Sequence, residues 1–135
     1  MTRPVPRSVV LDAQGLSLLV DRDPAMAVFL VAARRAQTPV VVSPVTIVEA
    51  VHRRTDRARL DWLLSRMTVE QVTEQDARTA VRLLHDAGKL HGHTHAIDGL
   101  VAALALRLPP PVVVVTSDPD DWHRLVGDQV RVHQV

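Results

Sequence analysis

Asp98 is the one charge in an otherwise apolar run, Ala96-Ile97-Asp98-Gly99-Leu100-Val101-Ala102-Ala103-Leu104-Ala105-Leu106. An ionised carboxylate in such surroundings is unfavourable unless it is paired, hydrogen-bonded or bound to a metal. Three further acids stand at or just beyond apolar β-type runs. Asp12 follows Ser8-Val9-Val10-Leu11, Glu49 lies in the segment after Val40-Val41-Val42, and Asp118 comes just past Val112-Val113-Val114-Val115. In open α/β sheets ligands bind outside the carboxyl ends of the strands, so the four acids are expected to meet at one edge of a sheet. Left alone, such a cluster repels itself, and a divalent cation resolves the repulsion. Oxygen donors without thiolate favour Mg²⁺ or Mn²⁺. The chemistry this best supports is phosphodiester hydrolysis, in which metal activates water and steadies the leaving oxygen.

The elements that must position these acids follow from the pattern of apolar residues and caps. Ser8–Leu11, Val40–Val42 and Val112–Val115 read as strands, with shorter ones expected at 69–72 and, as an edge strand, at 130–132. Between them, residues 13–20 form a helical turn with Leu16, Leu18 and Leu19 inward. Asp23-Pro24 is a cap followed by proline at the first helical position, opening a helix to Ala36 with Met26, Phe29, Leu30 and Ala33 at helical spacing. Ser43-Pro44 starts the helix that carries Glu49, expected to run out through Val51 and His52 into Arg53, Arg54, Arg57 and Arg59. Leu60, Leu63, Leu64 and Met67 form the stripe of another helix. Thr73-Glu74-Gln75-Asp76 has the form of a capping box, with Ala77, Ala80, Val81 and Leu84 inward and Gly88 as the stop. The apolar run around Asp98 is a buried helix, and its small residues Gly99, Ala102 and Ala103 admit a close neighbour. Asp118-Pro119 repeats the cap-plus-proline start. Strands alternating with helices, each strand nearly continuously apolar, indicate an α/β fold with a mainly parallel sheet covered on both faces.

Composition sets the limits. The 135 residues correspond to one domain, 1–135. The hydrophobic share is 47% and mean hydropathy +0.08, rich enough to suggest a surface covered by a partner. There is no apolar run long enough to span a membrane, and the N-terminus is a poor signal peptide. Cysteine is absent, which excludes disulfides and thiolate metal sites and fits a cytoplasmic location. A net charge of +1 gives no global field for nucleic acid. The cations are nearly all arginine, whose fork suits phosphate, although the same bias accompanies GC-rich coding.

Val9-Val10-Leu11-Asp12-Ala13, Ser43-Pro44-Val45-Thr46-Ile47-Val48-Glu49-Ala50, Ala96-Ile97-Asp98-Gly99-Leu100-Val101-Ala102-Ala103-Leu104-Ala105 and Val115-Thr116-Ser117-Asp118, in this order and spacing, resemble the PIN-domain nucleases, most closely the VapC-type toxins of type II toxin–antitoxin pairs. The resemblance covers nearly the whole chain. It implies a PIN-like three-layer sandwich and an Mg²⁺- or Mn²⁺-dependent endoribonuclease leaving 5′-phosphate and 3′-hydroxyl ends. It implies that Asp12, Glu49, Asp98 and Asp118 hold the metal, with Thr116 and Ser117 as supporting hydroxyls and Asp121 as an additional acid. The partners implied are RNA, a small antitoxin protein and a second copy in a homodimer. Leu16, Leu19, Phe29, Leu60 and Leu63 are the apolar residues expected at those interfaces. One departure is Gln14, where the family often has a small hydroxyl residue.

Other readings are weighed on the same residues. Asp118 before proline caps a helix whether or not it binds metal, and Asp121 in the first turn suits the helix dipole. His91-x-His93-x-His95 ahead of Asp98 hints at zinc, but Gly92 and the following helix break the spacing, and a loop histidine beside an acidic pocket fits better. Arg53, Arg54 and Arg57 are candidates for RNA phosphate contacts, against the simpler role of a solvated face. Trp62 and Trp122 fit core or interface. Two other classes stand beside the nuclease: a PIN-fold binding module with little or no activity, acting through a protein partner or homodimer, and a receiver-type signalling domain. The receiver reading needs an acceptor Asp on its central strand and a lysine after a later one, whereas the 69–72 run ends in Thr73 and Lys89 follows a helix.

Overall fold

The computed structural model describes residues 4–88 and 94–135. Five strands, β1 (Ser8–Leu11), β2 (Val40–Val42), β3 (Thr68–Val69), β4 (Val112–Thr116) and β5 (Arg131–Gln134), form one sheet in the order β3-β2-β1-β4-β5. Every pairing is parallel, with Val10 opposite both Val41 of β2 and Val114 of β4. The chain moves outward from β1 to β2 and β3, then returns to the other side of β1 to lay down β4 and β5. The order therefore reverses between β1 and β4, and a crevice opens there at the carboxyl ends.

Among the described residues seven helices cover the sheet: α1 (Ala13–Val20), α2 (Pro24–Arg35), α3 (Pro44–Ala50), α4 (Arg57–Leu64), α5 (Glu74–Asp86), α6 (Ala96–Arg107) and α7 (Pro119–Val126). Successive strand side chains point to opposite faces, and β1 divides its residues accordingly. Val9 and Leu11 join Leu16, Leu19, Met26, Leu60 and Leu63 in one core. Val10 joins Val101, Leu104, Val114, Trp122 and Leu125 in the other. This double burial is why the strands read as unbroken Val runs.

Most helix starts are fixed by the expected side chains. Asp23 accepts Met26 N–H, and Thr73 and Asp76 close the capping box reciprocally; the α4 cap, Asp56 accepting Arg59 N–H, is not among the expected ones. Gly88 ends the α5 region at φ +69°, a conformation that glycine adopts without a Cβ clash.

Several expectations are corrected. Leu16, Leu19, Leu60 and Leu63, expected at an interface, are at most 2% exposed, because α1 and α4 turn those faces onto the sheet. Phe29 is half-buried, its ring 4.7 Å from that of His133. The exposed apolar residues of these helices are instead Val28, Val31 and Trp62. On α5 the buried stripe is Asp76, Ala80 and Leu84, and Ala77 and Val81 face out. A buried polar residue at 76 shifts the inward face from the one that apolar spacing alone predicts. Helix α3 stops at Ala50, where Val51 turns extended and the Thr55 hydroxyl accepts His52 N–H at 2.9 Å. Strand β3 ends at Val69 rather than Val72. Arg59 is no part of a solvated basic face: its guanidinium donates to the Leu19 and Val20 carbonyls that end α1.

Candidate active site

The carboxyl ends of β1 and β4 are stitched together by the Asp12 N–H donating to Val115 O at 3.1 Å. Asp12 is the N-cap of α1, accepting the Gly15 N–H at 2.9 Å. Its carboxylate also takes hydrogen bonds from the Thr116 hydroxyl and the Gln14 and Ser117 backbones. Burial pushes the Asp12 carboxyl up and these donors pull it back, with burial prevailing.

Across a cleft of about 290 Å³ lie the other acids, Glu49, Asp98, Asp118 and Asp121, with Gln14, Ser17, Thr116, Ser117 and Trp122 completing the wall. Glu49 is the penultimate residue of α3 and exposed. Desolvation, then the charge of Asp12, raises its carboxyl. Asp98 sits in the first turn of α6 and is the most perturbed of them. Desolvation first, with repulsion from Glu49, Asp12 and Asp121 that His95 partly offsets, raises it to about 6. All four sequence-assigned acids therefore line one cleft, and they arrive from four separate segments.

The supporting residues divide. Thr116 is 1% exposed and works in two directions, donating to Asp12 and accepting the Asp118 N–H at 3.0 Å. Ser117 is exposed on the cleft wall. Asp118 caps α7 through Asp121 N–H at 3.3 Å. The Asp121 carboxylate lies 3.4 Å from Arg124 Nη1. Arg53, Arg54 and Arg57 are exposed, on the α3–α4 connection and the first residue of α4, and do not line the cleft. Trp122 is core, whereas Trp62 is exposed with Arg34 and Arg66 over its ring at 5.8 and 4.9 Å.

One histidine of the His91-x-His93-x-His95 pattern lies beside the acids, as expected, but at a helix start rather than in a loop. His95 is the N-cap of α6, makes no capping hydrogen bond, and lies 3.9 Å from Asp98 through Nδ1 and Oδ2. Ligand atoms of His95, Asp98 and Asp121 all fall within 4.8 Å of one another. The signal was the three-residue spacing of His95 and Asp98 across a helix start, which the His-x-His-x-His pattern obscured. His91 and His93 lie outside the described residues.

The donor set suits a hard divalent cation on chemical grounds. The carboxylates crowd one small cleft, and the most perturbed of them is raised by desolvation and by the charge of its neighbours. Such a site is relieved by a positive charge at its centre.

No protein-family model matches the chain, and no curated protein matches it. Solved structures do match. A chain of VapBC2 from Rickettsia felis, in a complex bound to a DNA fragment from its promoter, superposes with a TM-score of 0.72 at 15% identity, over 94% of this chain and 98% of that one. A chain of DNA-bound VapBC from Salmonella typhimurium superposes with a TM-score of 0.66 at 17% identity, over 94% and 97%. At such identities the likeness is one of fold, and over nearly its whole length this chain has the α/β fold found in those VapBC chains.

Proposed function

We propose that this protein is an Mg²⁺- or Mn²⁺-dependent endoribonuclease, the toxin of a type II toxin–antitoxin pair, active in the cytoplasm. The observation that carries the reading is the convergence of Asp12, Glu49, Asp98 and Asp118, with Asp121 beside them, on one cleft at the switch point of the sheet. The fold shared with VapBC complexes supports the toxin assignment, with a small antitoxin protein and a homodimer as partners.

Asp12 and Asp98 are the principal metal ligands, flanked by Glu49 and Asp118. The bound cation supplies a polarised water and neutralises charge on the scissile phosphate. Asp12 accepts the Gly15 N–H at 2.9 Å, so its carboxylate is oriented before substrate arrives, which lowers the reorganisation the reaction requires. Glu49, exposed at the mouth with a raised carboxyl, accepts a proton from the attacking water at its Oε atoms. Arg53, Arg54 and Arg57 offer forks to RNA phosphates outside the cleft.

A second reading, a binding module acting through a partner, is favoured by Val28 and Val31, 70% and 46% exposed on α2. One experiment separates the two. Cleavage of RNA is measured with Mg²⁺ or Mn²⁺ for the wild type, Asp12→Asn and Asp98→Asn. The nuclease reading expects cleavage by the wild type alone, with 5′-phosphate and 3′-hydroxyl ends. Equal cleavage by the variants rejects the assigned site, and no cleavage by any of them favours the binding module.

A further inference from the structure

We infer that His95 is a direct ligand beside Asp98 and Asp121, so that an imidazole joins the carboxylates around Asp12 and Asp98 and the site selects a first-row transition ion over Mg²⁺. The inference rests on the nuclease reading for the site's purpose, but on the structure's own geometry for the donors.

The distance between His95 Nδ1 and Asp98 Oδ2 is 3.9 Å. That is too long for a hydrogen bond. It lies between the separations of two donors on one octahedral ion, which at bonds of ~2.1 Å are about 3.0 Å apart when adjacent and about 4.2 Å when opposite. Asp121 brings a carboxylate oxygen into the same sphere, all three donors lying within 4.8 Å of one another. They come from the start of α6 and the first turn of α7, so closing on an ion draws the donor atoms together by about 1–2 Å.

The local sequence is consistent with this use. In α5, residues at the cap and three positions later satisfy each other's backbone. In α6 the same two positions hold His95 and Asp98, and the His95 side chain makes no cap bond. A serine or threonine there would accept a first-turn N–H and stabilise the helix. The imidazole gives up that contribution and faces Asp98 instead.

The consequence is selectivity. Mg²⁺ prefers oxygen donors and retains its waters, whereas imidazole suits transition ions. Asp98 is common to both groupings, since the charges of Asp12, Glu49, His95 and Asp121 all act on it and it shares the donor cluster with His95 and Asp121.

The test loads the full chain with substoichiometric Mn²⁺ and records electron spin echo modulation. The wild type is expected to show ¹⁴N modulation from a coordinated imidazole, and His95→Asn to lose it. Parallel titrations are expected to show Mn²⁺ affinity falling about tenfold or more in His95→Asn, while Mg²⁺ affinity changes less than about threefold. Should His95→Asn fail to fold, His95→Gln is measured in its place. Absence of ¹⁴N modulation in the wild type, its persistence in the variant, or equal losses for both ions overturns the assignment. Nitrogen coupling without RNA cleavage leaves the site standing and removes the nuclease reading. Cleavage without nitrogen coupling does the reverse.

Discussion

The Arg107 guanidinium makes a two-point contact with Asp76, Nε to Oδ1 at 2.9 Å and Nη2 to Oδ2 at 3.1 Å, tying the last turn of α6 to the first turn of α5. Nη2 also donates to Gln71 O at 3.0 Å, and Nη1 lies 3.5 Å from Glu70. Asp76 is 3% exposed. The helix whose far end is anchored in this way is the one that presents Asp98.

Removing the cation strands a buried carboxylate. Arg107→Ala is expected to lower stability by about 3 kcal/mol. Arg107 holds the Asp76 carboxyl below its ordinary value, so this contribution is present above about pH 4 and is lost as pH falls through the depressed folded value. Urea midpoints of wild type and variant should therefore be far apart at pH 7 and approach each other below pH 4. Coincident midpoints at pH 7 would show the pair to be stabilising nothing.

Asp98 has the opposite sign. Its folded value of about 6 lies above the ordinary one, so ionisation penalises the metal-free fold progressively from about pH 4 to 6. With its side chain 38% exposed, solvent screening reduces the penalty. Asp98→Asn should melt roughly 3 °C above the metal-free wild type at pH 7.5 and level with it at pH 3.5. Added Mn²⁺ should raise the wild-type melting temperature and leave the variant unmoved. A variant that melts lower at pH 7.5 contradicts the electrostatic account of the cleft.

These two acids mark how far the sequence was legible. Asp98 was visible because a lone charge in an apolar helix has few harmless explanations. The strands β1, β2 and β4 were visible because burial on both faces leaves continuous Val runs, and the caps at Asp23, Ser43 and Thr73 because their chemistry is local. Asp76 read only as a capping residue. Its second role needs Arg107, 31 residues away, and that distant pair rotated α5 so that Ala77 and Val81 face water. The interface leucines failed for a related reason. Periodicity identifies an apolar face but not whether the sheet or a partner covers it. His95 was hidden by its neighbours, since a triple histidine pattern drew attention to zinc spacing rather than to the helix start.

Thr116 joins the two strand ends through one hydroxyl that donates to Asp12 and accepts Asp118 N–H. Thr116→Val keeps the shape and removes both bonds. Stability should fall by about 1–2 kcal/mol. The Asp12 carboxyl, deprived of a donor, should rise further, moving the acid limb of any metal-binding or cleavage profile to higher pH. Thr116→Ser should restore that limb. An unshifted limb in Thr116→Val would reduce Thr116 to a packing residue.

Gly99 is a point of close approach between α5 and α6. A Cβ built there meets Leu84 Cδ1 at 2.8 Å and Cγ at 2.9 Å, with Ala80 Cβ at 3.4 Å. Leu84 is 5% exposed and cannot swing into solvent without opening the core. Gly99→Ala gains helix propensity of up to about 1 kcal/mol but overpacks a filled site at about 1–3 kcal/mol, so a net loss near 1 kcal/mol is expected. Leu84→Ala alone should lose about 2–5 kcal/mol by leaving a cavity. In the double variant the new methyl occupies part of that cavity, and the losses should fall short of their sum by about 1 kcal/mol or more. Because Asp98 adjoins Gly99, Mn²⁺ affinity should weaken in Gly99→Ala and recover in the double variant. Strictly additive losses in a denaturant cycle would mean that the two helices do not meet at this residue.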